Sequence, residues 1–199
     1  MMRHMGLFKS DPAAADRKAL TEAEAELAAR PTDVRLLMKV AELAHKAGQT
    51  AQAAQHYAQA ASRYAEEGFL LKAVAVNKIA AGLSPESPEL CEQEANFYAQ
   101  LELIQDAFES LKRAIALHDA RGDKPGAFAA RRKLLAVDPD NAAGRVALAE
   151  FFVGQGKVDQ ALEELARVAV QLHLDGKHRD RDRVKARIAF LEKKLQPTG

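Results

Sequence analysis

Apolar positions along the chain recur at helical spacing. Within one stretch Val158, Ala161, Leu162, Leu165, Val168 and Ala169 fall on an i, i+3, i+4, i+7 stripe, which buries one face of an α-helix. Such stretches are punctuated at a fixed interval. Pro31, Pro85 and Pro139 are 54 residues apart, as are Gly68, Gly122 and Gly176. Ala41, Ala95 and Ala149 share that spacing, and so do Ala53, Ala107 and Ala161. With 11 glycines among 199 residues, an all-glycine triple is expected by chance roughly 0.01 times, so the punctuation carries the repeat.

The period predicts three modules, about 32–85, 86–139 and 140–197, each of three helices designated a, b and c. Helix a starts at an N-cap residue, Asp33, Ser87 or Asn141, whose side chain can accept from the first free backbone N–H groups. It runs to about Ala47, Leu101 and Val153. Helix b is predicted over 51–66, 105–121 and 158–174. The glycines at 68, 122 and 176 end it in left-handed conformation. Helix c follows over 69–82, 126–137 and 180–195. Upstream, Thr21-x-x-Glu24 reads as a capping box opening a short helix through Ala29. The expected organisation is a flexible tail over 1–12, a capping helix over 13–30 and a helical-repeat domain over 31–199.

Composition agrees with that reading. Alanine occurs 41 times, Trp is absent and aromatics are 6%, which suits many closely packed helices. The single cysteine, Cys91, excludes a disulfide framework and a Cys-based zinc site. It falls at the core position held by Leu37 one module earlier. Basic and acidic residues number 29 and 28, so global charge does not argue for nucleic acid. No apolar run approaches the ~20 residues of a membrane span, and no secretory leader is evident, so a cytoplasmic location is expected. Met5-Gly6-Leu7-Phe8-Lys9-Ser10 fits an acylation pattern only if translation began at Met5.

Val40-Ala41, Ala44, Gly48, Ala53, Tyr57 and Ala60 resemble a tetratricopeptide repeat (TPR). Leu148-Ala149, Phe152, Gly156, Ala161, Leu165 and Val168 resemble it more closely. Tyr57, Ala60-Ala61, Tyr64, Gly68, Ala73, Ala80 and Pro85 form an overlapping match in which helix b serves as the first helix. The resemblance covers roughly 31–197, and Ala53–Gly68 is also similar to the helical repeats of SNAP-type adaptors. Arg145 and Glu94 replace large apolar residues of the pattern, Glu102 replaces the turn glycine of module II, and the period is three helices rather than two. The resemblance implies an all-α, TPR-like solenoid, a right-handed superhelix that binds peptides or partner proteins without catalysis or cofactor.

No catalytic constellation is apparent. Asp138-Pro139-Asp140-Asn141 lacks the later ligands of a calcium loop and reads as a helix-capping turn. Gly154-Gln155-Gly156-Lys157 lacks the upstream glycine and the Ser/Thr of a phosphate loop. Arg121-Gly122-Asp123 reads as a helix turn. If the a helices face inward, as the resemblance implies, a groove would carry Arg35, Met38 and Glu42, then Glu89, Glu92 and Asn96, then Val146, Glu150 and Val153. That surface is mainly acidic with apolar patches. The c helices offer an alternative basic ridge of Arg131, Arg132, Lys133, Lys185 and Arg187. Alternating Asp180 and Asp182, and the absence of interleaved aromatics, favour an ion-paired helix there over nucleic-acid binding. The expected function is a protein-interaction scaffold in a bacterial motility, secretion or regulatory assembly. The alternative is a chaperone or regulatory subunit holding an exported protein or an enzyme.

Overall fold

A computed structural model describes residues 12–195. The tail expected over 1–12, Pro12 excepted, and the Met5-Gly6 pattern lie outside them. The described residues form ten α-helices and no strand: α1 Pro12–Ala29, α2 Val34–Lys46, α3 Thr50–Glu66, α4 Leu70–Leu83, α5 Pro88–Gln100, α6 Ile104–Ala120, α7 Lys124–Val137, α8 Ala142–Gly154, α9 Val158–Leu174 and α10 His178–Leu195. The starts of α2, α5 and α8 are 54 residues apart. The same interval separates α3, α6 and α9, and α4, α7 and α10.

Local chemistry explains this register. Asp33 accepts from the Arg35 and Leu36 amides (3.0 and 3.2 Å), Ser87 from Leu90 (3.4 Å) and Asn141 from Gly144 (2.7 Å). All three predicted N-caps are therefore made. The left-handed residues form two columns at the same interval. One is Gly68, Gly122 and Gly176; the other is Gly48, Glu102 and Gly156. Glu102 keeps the backbone of the turn at φ +59° despite its side chain, so turn geometry is held more strongly than turn residue.

Two expectations need correction. Thr21 does not cap a helix: α1 is already under way, and the Thr21 hydroxyl donates back to the Arg17 carbonyl (3.1 Å). Helix α7 starts at Lys124, ahead of the expected 126, because Asp123 accepts from the Gly126 amide (3.0 Å) and Pro125 fits a first turn that needs no N–H donor from it.

The chain divides into two compact units, 1–101 and 102–199, so the boundary cuts the second module between its a and b helices. In the first unit each helix packs on its neighbour in sequence, from α1 to α5. Its core is built from Leu37, Val40, Ala41, Ala44, Ala53, Tyr57 and Ala60 with Leu20 and Ala23 of α1. In the second unit α6 through α10 pack likewise, around Ala149, Ala161, Leu165, Val168, Leu172 and Leu191. Both alanine columns are buried throughout. With no side chain beyond Cβ, these positions let helix axes approach closely, and each hairpin buries its apolar face only by stacking on the next.

Candidate functional site

Side-by-side packing of α3 and α5 creates the first surface of interest. Gln93 on α5 donates through Nε2 to the Ala58 carbonyl (2.9 Å) and to the Ser62 hydroxyl (2.7 Å) on α3. Beyond that bridge the two helices leave a cleft of about 460 Å3, lined by Gln59, Ser62 and Glu66 from α3 and by Asn96, Phe97 and Gln100 from α5. The carboxamides of Gln59, Asn96 and Gln100 each offer both a donor and an acceptor. On the other side of α5, buried Asn77 of α4 donates to the Leu90 carbonyl (2.9 Å), which fixes how α5 lies.

The second unit repeats this cleft 54 residues later with different chemistry. Lys112, Ala116 and Asp119 of α6 stand where Ala58, Ser62 and Ala65 stand in the first, and Ala147 of α8 replaces Gln93. The result is an apolar pocket of about 330 Å3 that Phe108, Ile115 and Leu134 also line. Arg131 borders it. Its guanidinium pairs with Asp119 (2.6 Å) and lies over the Phe151 ring (5.7 Å).

The expected groove residues distribute as follows. Arg35 and Glu42 are exposed on α2, a helix that packs on α1 and α3. Met38 packs against the core of the first unit. Burial first, and the Glu42 carboxylate second, push the Tyr57 phenol up, so Glu42 lies close to α3. Glu89, Glu92 and Asn96 stand on α5, where Asn96 turns toward α3. Val146 and Val153 pack against the core of the second unit. Glu150 accepts two hydrogen bonds from Arg187 of α10 (2.8 and 2.6 Å). One member of the acidic set and one of the basic set thus neutralise each other.

Of the remaining ridge residues, Arg131 is held by Asp119, while Arg132, Lys133 and Lys185 are exposed. Further along α10, Arg181 pairs with Asp182 (2.7 Å) and Arg183 with Asp180 (3.4 Å). Cys91 is buried. Asn141 donates to Asp138 (2.9 Å) while capping α8, which makes that acidic segment a capping turn. Arg121-Gly122-Asp123 is the turn between α6 and α7, and Gly154–Lys157 the turn between α8 and α9. Among the described residues no group of three or more His, Cys, Asp or Glu side chains converges as a metal site. No helix among them is long and apolar enough to cross a membrane.

Sequence reasoning missed Gln93 and the α3/α5 cleft. The signal was the odd number of helices per module. Where tight turns reverse the chain after every helix, successive a helices fall in alternate layers, so α5 joins α3 rather than continuing the surface of α2.

Residues 120–179 match a family model described as a tetratricopeptide repeat. Over nearly the whole chain the fold is similar to that of a kinesin-light-chain-type protein of Podosopora anserina built of nearly identical TPR-like repeats. The likeness has 16% identity and a TM-score of 0.51, and covers 95% of this chain and 100% of that one. The chain has a TPR-like helical-repeat fold. Solved structures also similar to this TPR-like chain include a thermophilic TPR protein of Thermus thermophilus (24% identity, TM-score 0.31, 89% and 91% of the two chains). Another is MamA of Desulfovibrio magneticus RS-1, covering residues 41 to the end (15%, 0.38, 82% and 97%). No curated protein sequence matches.

Proposed function

We propose that the chain is a non-enzymatic scaffold that binds a partner protein or peptide, with the α3/α5 cleft as its principal contact. The carrying observation is the row of carboxamides, Gln59, Asn96 and Gln100, beside the apolar Ala58, Ala65 and Phe97. Carboxamides can pair with both the N–H and the C=O of an extended backbone, and the apolar strip accepts a side chain. Glu66 in the cleft, with Glu89 and Glu92 on the same helix as Asn96, favours a segment carrying Lys or Arg. Rim charges of this kind act mainly on association rate and salt sensitivity. The alanine- and arginine-rich composition supports a bacterial source, and a cytoplasmic motility, secretion or regulatory assembly is the setting proposed.

The test is affinity capture from the source cell with the full chain, comparing the wild type with two variants. One combines Gln59→Ala, Asn96→Ala and Gln100→Ala; the other reverses Glu89 and Glu92 to Lys. Loss of the same captured protein in both, with helix content unchanged, carries the reading. A captured set identical in all three proteins overturns it.

A further inference from the structure

Three of the chain's eight phenylalanines converge within the second unit. Phe128 of α7 stacks on Phe151 of α8, with ring centroids 5.2 Å apart, and meets Phe152 edge-on at 5.6 Å. Arg131 lies over the Phe151 ring at 5.7 Å and Arg132 over the Phe128 ring at 6.0 Å. All three rings are half-buried. Beside them opens a cleft of about 180 Å3, bordered by Lys124, Gln155 and Lys157. An apolar cavity of about 150 Å3 admits a benzene ring, so the space suits one aromatic side chain.

The charge around this cleft is positive and unspent. Among the described residues neither Lys124 nor Lys157 makes an ion pair or a side-chain hydrogen bond, and Arg132 has no carboxylate partner. Arg131 is held by Asp119. The acid next to Lys124, Asp123, is engaged by the Gly126 amide and by His118. Asp159, in the first turn of α9, pairs with neither lysine and does not line the cleft. Lys124 opens α7 and Lys157 immediately precedes α9. The N-termini of two helices thus border the cleft, and their partial positive charge adds to that of the ammonium groups. The first module has Leu70 and Leu103 at the lysine positions and Val74 at that of Phe128. The combination of rings and cations is therefore not part of the repeating pattern that builds the core.

We infer that the α7/α8 cleft docks an acidic segment of a partner protein, which inserts one aromatic side chain beside Phe128 and Phe152 and sets flanking carboxylates against Lys124 and Lys157. The rings choose a side chain over a nucleobase. Stacking a base needs an open ring face, and the faces of Phe128 and Phe151 are engaged by each other and by the two arginines. An aromatic side chain can instead pack edge-to-face. The Gln155 carboxamide offers a donor and an acceptor to the backbone of the bound segment. The buried ring would supply most of the affinity, and the carboxylates mainly association rate and salt sensitivity. The site lies outside the α3/α5 cleft, has the opposite charge preference and goes beyond the function proposed above.

The probes are fluorescein-labelled peptides, each with one Phe, Tyr or Trp between pairs of glutamates in a Gly/Ser frame, titrated with the full chain by fluorescence polarisation. At least one should bind saturably, and more weakly as salt rises. Replacing its aromatic residue with alanine should abolish binding. Lys124→Glu with Lys157→Glu should weaken binding about tenfold, the scale of two exposed ion pairs lost, with helix content unchanged. The same variant should bind a lysine-flanked version of the peptide more tightly than the wild type does. The variant at Gln59, Asn96 and Gln100 should bind the acidic peptide like the wild type, so failure here and failure of the α3/α5 cleft are separable. Absence of saturable binding by every peptide, or affinity indifferent to the two lysines or to the aromatic residue, overturns the inference. So does tighter binding of a labelled oligouridylate than of any peptide, lost in the same lysine variant, which would assign the site to nucleic acid.

Discussion

Glu102 shows how a single residue can carry cost that its equivalents do not. Left-handed backbone costs a residue with a Cβ about 1–2 kcal/mol, which glycine escapes. Glu102→Gly should therefore stabilise the protein by about 1 kcal/mol in urea denaturation, less the flexibility that glycine adds to the unfolded chain. Arg145 is a second case. At the position of Leu37 and Cys91 it pairs with Glu164 (2.7 Å), both side chains being largely buried, and its Nε donates to the Pro139 carbonyl (2.9 Å). Arg145→Leu alone should cost about 1–3 kcal/mol, because it leaves the largely buried Glu164 with only the longer contact to Arg167 (3.4 Å). Adding Glu164→Ser, the residue found at 110 one module earlier, should recover most of that loss in a double-mutant cycle. Asp123 makes the corner between α6 and α7 sensitive to acid. The Gly126 amide first, then His118 and Arg121, hold its carboxyl below the ordinary range. Its stabilising contribution is present above the ordinary carboxylate pKa and is lost as pH falls through its own lower value. Acid titration followed by circular dichroism should show that loss, and Asp123→Ala should remove it.

At the scale of helices, the alanine columns set spacing. Ala107 and Ala161 are fully buried between helices, so Ala107→Leu or Ala161→Leu should cost ~1–3 kcal/mol by overpacking, read as a lower denaturation midpoint with unchanged slope. The same substitution at Ala166, on the open side of α9, should be nearly neutral. The contrast separates packing between helices from any general intolerance of size in an alanine-rich helix. Helix boundaries were legible because caps and left-handed turns are short-range chemistry: Asp33, Ser87, Asn141 and Gly68 act within a few residues of themselves. The extent of α1 was not, because Thr21 has a capping residue's identity but lies inside a helix that already satisfies its backbone.

For the whole molecule, the 54-residue period and the compact units are different divisions of one chain. Helix α5 is tied to the rest of the first unit by its own Gln93, which donates to Ala58 and Ser62 of α3, and by Asn77 of α4, which donates to the Leu90 carbonyl. Residues 1–101 should therefore fold alone, with a cooperative urea transition and helical circular dichroism. A fragment ending at 85, the module boundary, should be less stable because it exposes the α3 and α4 faces that α5 covers. Equal stability of the two fragments would show that α5 adds nothing to the first unit.

The amino-acid sequence by itself determined the helical class, the interval of 54, the N-caps, the left-handed turns and the buried alanine columns. Each follows from the spacing of small, apolar and turn residues along the chain. Which helices lie side by side depends on how hairpins alternate in space, and that the tertiary structure decided. It placed Asn96 of α5 against α3, joined Glu150 to Arg187 across thirty-seven residues, and gathered Phe128, Phe151 and Phe152 from two helices. Those outcomes come from contacts between elements distant in sequence, where one polar side chain such as Gln93, in place of Ala147, changes a cleft from apolar to polar without altering the helical pattern.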